Sequence, residues 1–534
     1  MLRGAAFSVL AVAGWLQCAT AQQVDPIVIK GSKFFYSSNG TQFFIRGVAY
    51  QQDFTPSRGV NTTGYNDPLA DGSACARDLP YLTQLRTNTV RVYAIDPTKD
   101  HTECMTMFAN AGIYVLADLS SPQESINQID PHWNLDLYSR YTSVIDAMAN
   151  YSNVLGFFAG NEVAFAPNST DAAPFVKAAV RDMKSYIKSK KYRSIGVGYA
   201  TNDNPYIRVP LADYMNCGDN QDDAIDFWGY NVYSWCGDST FEESGYADRT
   251  EEFKSYSVPV FLAEYGCNNP QPRMFGDTPV LYGPDMEGVW SGGIVYLYFQ
   301  EVNDYGLVSV DGNTVSTLQD FDNLSSQIAT VSPTGPNSAS FSPTNSPQAC
   351  PTQDANFSAA ASPLPPSPDV ELCNCMFSAL ECTISNDVTS EDYGDLFGVV
   401  CGLEDGICDG IAANGSTGQY GPFGMCDSNQ QLGYVLNEYY QAQGQNPSAC
   451  DFSGSAATQA VATPTGNCVA ALSSVGFSTS GGGGAGGSGG SGSTQTKNGA
   501  ANSISTVAGV DVGYFTVGII TWVAVVSGVG MIVL

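Results

Sequence analysis

Val154-Leu155-Gly156-Phe157-Phe158-Ala159-Gly160 is an unbroken apolar run, closed at once by Asn161-Glu162. A run with no polar alternation describes a strand buried on both faces, as in a parallel sheet covered by helices. Apolar or β-branched runs of the same kind recur along the chain. They are Phe43 to Tyr50, Thr89 to Tyr93, Ile113 to Asp118, Val154 to Gly160, Ser194 to Tyr199, Phe227 to Tyr233, Val258 to Glu264 and Gly293 to Phe299, with segments of helical composition between them. Eight runs in about 255 residues predict an α/β chain folded as a parallel (β/α)8 barrel, whose usual size is about 250 residues. An open doubly wound sheet is the alternative, but no Gly-rich dinucleotide fingerprint follows an early strand.

Each run ends in polar or aromatic residues: Tyr50 and Gln51, Arg91 and Tyr93, Asp118, Asn161 and Glu162, Tyr233, Glu264, then Gln300 and Glu301. In a barrel these positions gather at the C-terminal mouth, where such folds keep their chemistry. Two carboxylates stand out: Glu162, and Glu264 in Val260-Phe261-Leu262-Ala263-Glu264-Tyr265-Gly266. A charge closing an apolar strand is costly unless it faces a solvated or functional site. Either glutamate alone reads as a strand end facing solvent; the pair, on the fourth and seventh strands, matches the two carboxyls that glycoside cleavage needs.

Composition divides the rest of the chain. Arg3, the apolar run Ala5 to Leu16 and the small residues Ala19 and Ala21 read as a signal peptide over 1–21. The barrel block follows at 22–331, then a Pro/Ser/Thr-rich linker at 332–372, a cysteine-rich block at 373–468, and a Ser/Gly-rich stalk at 469–498. The last segment, 499–534, is apolar from Tyr514 onward with no Lys or Arg after it. With the small residues Asn498, Gly499 and Ala500 upstream, it reads as a glycosylphosphatidylinositol (GPI) attachment signal, Asn502 and Ser503 being rival sites.

Of 15 cysteines, Cys18 leaves with the signal peptide and an even set remains in an oxidising compartment. Only His101 and His132 exist and no CxxC pair occurs, so bridges are expected rather than a metal. Sequons at Asn39, Asn61, Asn150, Asn168, Asn323, Asn356 and Asn414 fit secretion. A formal charge of -30 leaves no basic face for nucleic acid, and a neutral polymer is the more natural ligand.

The segments Gly47-Val48-Ala49-Tyr50-Gln51, Arg91-Val92-Tyr93-Ala94-Ile95-Asp96, Gly160-Asn161-Glu162, Tyr230-Asn231-Val232-Tyr233-Ser234-Trp235-Cys236-Gly237, Glu264-Tyr265-Gly266-Cys267 and Gly293-Ile294-Val295-Tyr296 resemble the fungal GPI-anchored β-1,3-glucanosyltransferases of glycoside hydrolase family 72. The resemblance implies Glu162 as acid/base, Glu264 as nucleophile, carboxyl oxygens about 5 to 5.5 Å apart and a covalent intermediate. It implies Asn161 on the sugar 2-hydroxyl, and Tyr93, Asp118, Tyr233, Tyr296 and Gln51 lining the donor site. It further implies β-1,3-glucan as donor and acceptor, no cofactor or metal, a monomer, and residence at the outer face of the plasma membrane or in the wall. The cysteine-rich block resembles a family-43 carbohydrate-binding module. Spacing alone allows 105 pairings of its eight cysteines. The resemblance implies Cys373 to Cys426, Cys375 to Cys468, Cys382 to Cys450 and Cys401 to Cys408, with Cys75 to Cys104, Cys217 to Cys350 and Cys236 to Cys267 in the barrel region.

Overall fold

The computed structural model describes residues 24–52, 64–461 and 465–477. The signal segment, Asn61, most of the Ser/Gly-rich stretch and the C-terminal attachment segment, with Asn498, lie outside the described residues.

Eight parallel strands close into a barrel: β1 Ile45–Ala49, β2 Thr89–Val92, β3 Tyr114–Asp118, β4 Val154–Asn161, β5 Gly196–Asn202, β6 Trp228–Val232, β7 Val260–Tyr265 and β8 Trp290–Val295. Each pairs with its sequence neighbour, and β8 pairs back onto β1 through Ile294 opposite Gly47. The expected barrel is therefore what the chain forms. The eighth strand ends at Val295, yet the rest of the eighth run stays on the barrel: Tyr296 N–H donates to Tyr265 O of β7 and Tyr298 N–H to Ala49 O of β1, while Leu297 N–H donates to Tyr305 O and Gln300 N–H to Val308 O.

The barrel interior is filled in layers. A hairpin that the sequence reading did not anticipate, Ile27–Lys30 with Lys33–Tyr36, brings Phe34 against Phe227 and Phe261 with ring centroids 6.1 Å apart in each pair. Phe158 joins them, 5.3 Å from Phe227. Gly198 makes room for this plug, since a Cβ there would stand 2.3 Å from the Phe227 ring. Above the aromatic floor sits Arg91, whose guanidinium lies 4.6 Å from the Phe158 ring centre.

Residues 332–369 run as a strap along the barrel. Cys350 is bonded to Cys217, and Asn345 Nδ2 donates to Tyr256 O at 2.9 Å. The cysteine-rich block begins earlier than expected, with the helix Val370–Ser378 capped by Asp369. It also ends later. The segment expected to open the stalk at 469 is instead helical over Asn467–Ser474, and Phe477 packs 5.5 Å from Phe423. Apolar Val469, Ala471 and Leu472 sustain that helix before the glycines begin, and Leu472 is buried. The structure joins Cys373–Cys426, Cys375–Cys468, Cys382–Cys450 and Cys401–Cys408 here, and Cys75–Cys104 and Cys236–Cys267 in the barrel region. The block touches the barrel directly: Leu135 N–H donates to Met425 O at 2.9 Å, and Phe175 meets Tyr420 edge-on. Among the described sequons Asn39, Asn150, Asn168, Asn356 and Asn414 are exposed, whereas Asn323 Nδ2 donates to Arg273 O at 2.7 Å.

Candidate active site

Parallel strands deliver their C-terminal ends to one mouth, so residues remote in sequence meet there. Arg91 sits within the buried strand β2, where an unpaired charge would be prohibitively costly. It is fully paired. Its Nε and Nη2 reach the two oxygens of Asp118 at 3.2 and 3.1 Å, Nη1 reaches Glu264 Oε1 at 3.2 Å, and Nη2 also reaches Asn161 Oδ1 at 3.0 Å. The Tyr93 ring covers it at 4.4 Å. Burial works against the charged guanidinium, but Asp118, Tyr93 and Glu264 outweigh it and hold the Arg91 pKa above the ordinary arginine value.

Glu264, at the end of β7, is 8% exposed. Tyr93 Oη donates to its Oε1 at 2.9 Å and Tyr233 Oη to its Oε2 at 2.8 Å. Burial and then the Glu264 charge push both tyrosines well above the usual phenol range, so their protons stay on and both act as donors. One carboxylate is thus gripped at both oxygens by a cation and a hydroxyl from the end of β2 and a second hydroxyl from the end of β6.

Glu162 is built differently. Consecutive residues on a strand point to opposite faces. Yet Asn161 and Glu162 both reach Asn231 Nδ2, which lies 3.2 Å from Asn161 Oδ1 and 2.7 Å from Glu162 Oε1. The left-handed backbone of Glu162, φ 51°, breaks the pleat and allows this. Such a conformation costs a non-glycine residue about 1 kcal/mol and needs support. Glu162 N–H donates to Ala200 O at 2.9 Å and its carbonyl accepts from Gln128 Nε2 at 3.0 Å. Burial, and then the neighbouring Glu264 charge, push the Glu162 carboxyl up to about 7, against the pull of Asn231 and Arg91.

The structure brings Tyr93, Asp118, Asn161, Glu162, Tyr233, Glu264 and Tyr296 together. Tyr296 lies 6.4 Å from Tyr93 and 6.5 Å from Tyr233 by ring centres. Asp118 is 2% exposed with both oxygens on Arg91, so it faces the cation. Gln51 stands behind the site. Its Oε1 accepts from the N–H groups of Tyr93 and Ala94 at 3.1 and 3.3 Å and its Nε2 donates to Asn66 O at 2.7 Å, which fixes the end of β2.

Four residues were not singled out as site residues from sequence. Arg91 carried a signal, a cation inside Thr89-Val90-Arg91-Val92, where a parallel strand should be apolar throughout. Asn231 had a weaker one, as the amide of a buried strand. Its Oδ1 has no hydrogen-bond partner among the described residues. Tyr305 and Arg273 gave none, because they come from loops. Arg273 donates to the carbonyls of Tyr296 and Tyr305, both at 2.5 Å, and to Asp320 at 2.6 Å, and so holds the tyrosine side of the mouth. The Cys236–Cys267 bridge ties together the loops that follow β6 and β7. Among the described residues no cluster of metal-ligating side chains occurs.

A cleft whose base holds one gripped carboxylate and one protonatable carboxyl, rimmed by tyrosines, is equipped for acid-assisted displacement at a sugar carbon. Residues 16–332 match the family model described as Glucanosyltransferase, and residues 380–457 match the X8 domain. A 1,3-beta-glucanosyltransferase of Arthroderma benhamiae is 48% identical, over 99% of this chain and all of the relative. The 1,3-beta-glucanosyltransferase gas1 of Schizosaccharomyces pombe is 50% identical over 88% of this chain and 85% of its own. A solved structure of Saccharomyces cerevisiae Gas2p in complex with laminaritetraose and laminaripentaose superposes with TM-score 0.77 at 42% identity, covering 85% of this chain and 99% of that one. Fold, site and likeness converge, and the chain belongs to the glucanosyltransferase family, glycoside hydrolase family 72, with an X8 domain C-terminal to its barrel.

Proposed function

We propose that the protein is a retaining β-1,3-glucanosyltransferase that cleaves an internal linkage of one β-1,3-glucan and joins the new reducing end to the non-reducing end of another. The observation that carries this reading is the unequal treatment of the two carboxyls. Glu264 receives three hydrogen bonds from Arg91, Tyr93 and Tyr233, whereas Glu162 is pushed up to about 7 and keeps its proton near neutrality.

In the first half, a Glu264 oxygen attacks the anomeric carbon while Glu162 gives its proton to the departing glycosidic oxygen. The glycosyl ester and a shortened glucan result. In the second half, Glu162, now a base, takes the proton of an acceptor 3-hydroxyl, which displaces Glu264 and restores the β configuration. Asn161, fixed between Arg91 and Asn231, is the partner for the sugar 2-hydroxyl. Tyr93, Tyr233 and Tyr296 form the aromatic wall of the donor site, with Asp118 holding Arg91 and Gln51 holding Tyr93. The chemistry calls for no metal or activated nucleotide, because the energy of the cleaved bond is kept in the ester.

The sequence supports an extracellular site of action, at the outer face of the plasma membrane or in the wall, on a GPI anchor at Asn498. Among the described residues no helix is long and apolar enough to cross a membrane. The X8 domain is the region for glucan capture, and the protein acts as a monomer.

The test is to incubate the secreted protein with a reduced laminarin oligosaccharide and resolve the products by size. Chains longer than the substrate are expected. Only shorter chains would make it a hydrolase, and unchanged sugar that is nonetheless retained would make it a binder.

A further inference from the structure

The N-terminal end of the barrel, opposite the mouth, holds a second polar cleft that the proposed chemistry leaves unused. It measures about 380 Å³ and is lined by Gln42, Arg46 and Arg86, with Tyr36 at its side and Phe44 and Ile328 as apolar wall. That volume lies within the range of about 300–1,000 Å³ usual for small-molecule clefts.

Three features point to a ligand. Gln42 is 6% exposed, yet neither its amide oxygen nor its amide nitrogen has a hydrogen-bond partner among the described residues. A buried amide with both ends unmet is rare, because each unmet group keeps its full desolvation penalty. The amide is also cradled: a Cβ on Gly335 would come within 2.0 Å of Gln42 Oε1, so a larger residue there would push it aside.

The second feature is the pair of arginines. Arg46 spends Nε on Arg86 O at 3.2 Å, and Arg86 spends Nη1 on Ala329 O at 3.1 Å. Neither has a carboxylate partner among the described residues, whereas Arg77, Arg91, Arg181, Arg208, Arg249 and Arg273 each have one. In a chain with 52 acidic and 22 basic side chains, two guanidinium groups left without an acid beside one cleft run against the general trend. The third feature is the division of roles. Guanidinium groups offer donors for an oxyanion, Gln42 offers one donor and one acceptor, and Phe44 and Ile328 offer a surface for a carbon skeleton.

We propose that this cleft binds a small hydroxylated oxyanion, a hydroxycarboxylate or a sugar phosphate. Arg46 and Arg86 hold the anionic oxygens, and Gln42 donates to one oxygen while accepting from a hydroxyl. The site lies apart from Glu162 and Glu264, so occupancy is not needed for glucan transfer.

Isothermal titration calorimetry on the secreted protein at low ionic strength tests this, with citrate, glucose 6-phosphate, inorganic phosphate and glucose as probes. Citrate or glucose 6-phosphate should bind one to one, and whichever binds tighter identifies the source of the anion. Glucose should give no heat. Arg46→Gln and Arg86→Asn should each weaken binding about tenfold or more, as loss of a charge-assisted contact does, while leaving glucan transfer unchanged. Arg86 is exposed and its φ of 53° suits asparagine, so Arg86→Asn serves even where Arg46→Gln is not secreted. Gln42→Leu should also lose affinity. Absence of heat with every probe overturns the assignment. So does inorganic phosphate binding as tightly as the hydroxylated anions, an adventitious ion only, or full affinity in Gln42→Leu.

Discussion

The barrel and the cysteine-rich block hold together by different means. The barrel rests on a continuous apolar core that runs from Val48 to Ala359, and its Cys75–Cys104 and Cys236–Cys267 bridges pin helices and mouth loops. The 373–468 block has a far smaller core, around Leu380, Leu432 and Leu436, and relies on four bridges, three of which close loops of 53, 93 and 68 residues. Small domains bury too small a fraction of their surface to stand on a core alone. Around its larger core the barrel also buries a cation and several carboxyls at its mouth, and holds there a glutamate with left-handed backbone. Among its described residues the block buries no charged side chain.

The sharpest way to test that contrast is to remove carboxyl chemistry from each region. Glu264→Gln and Glu162→Gln should each lower glucan transfer by about 10²–10⁴-fold or more with the fold intact. Glu438→Gln, at the half-buried carboxyl of the block, should leave transfer near wild type; initial rates with circular dichroism decide it. Next comes Arg91→Met. It should abolish most activity and also cost about 3–5 kcal/mol, because Asp118 is left buried without its cation. Arg91→Met with Asp118→Leu should regain stability in denaturant titration but not activity.

Bridge removal should break the comparison the other way. Cys382→Ala with Cys450→Ala should cost the block about 2–5 kcal/mol. A low-temperature transition should then separate in calorimetry while transfer persists at 25 °C. The smallest effect concerns pH. Glu162 has a folded pKa of about 7 against 4.5 for the ordinary carboxyl, so kcat/KM should fall as pH rises through about 7. The linked stability is present in full below about 4.5 and lost as pH rises through about 7. Glu162→Gln should therefore raise Tm at pH 8 by more than at pH 5.

Apolar runs made the strands legible, and the polar residues ending them made the mouth legible, because a parallel barrel converts sequence order into spatial order. Glu162 and Glu264 could be named for that reason. What stayed hidden was whatever chain direction does not encode. The Phe34 hairpin plugs the barrel from below, Arg273 and Tyr305 reach the mouth from loops, and Asn467–Ser474 folds where composition had begun to turn toward glycine. Nor could sequence separate a residue that meets a sugar from one that holds its neighbour. Asp118 and Gln51 both end runs, yet one grips Arg91 and the other grips backbone.

The Cys375–Cys468 bond has a mechanical side. A pull on the C-terminal end enters at Cys468, crosses to Cys375, and passes along the strap to Cys350 and through Cys217 into the barrel wall. Covalent bonds carry tension along this whole route and bypass the loop between residues 376 and 467. With the C-terminal anchor proposed above, shear would load the strap and the helix segment up to Cys375 while bypassing residues 376–467.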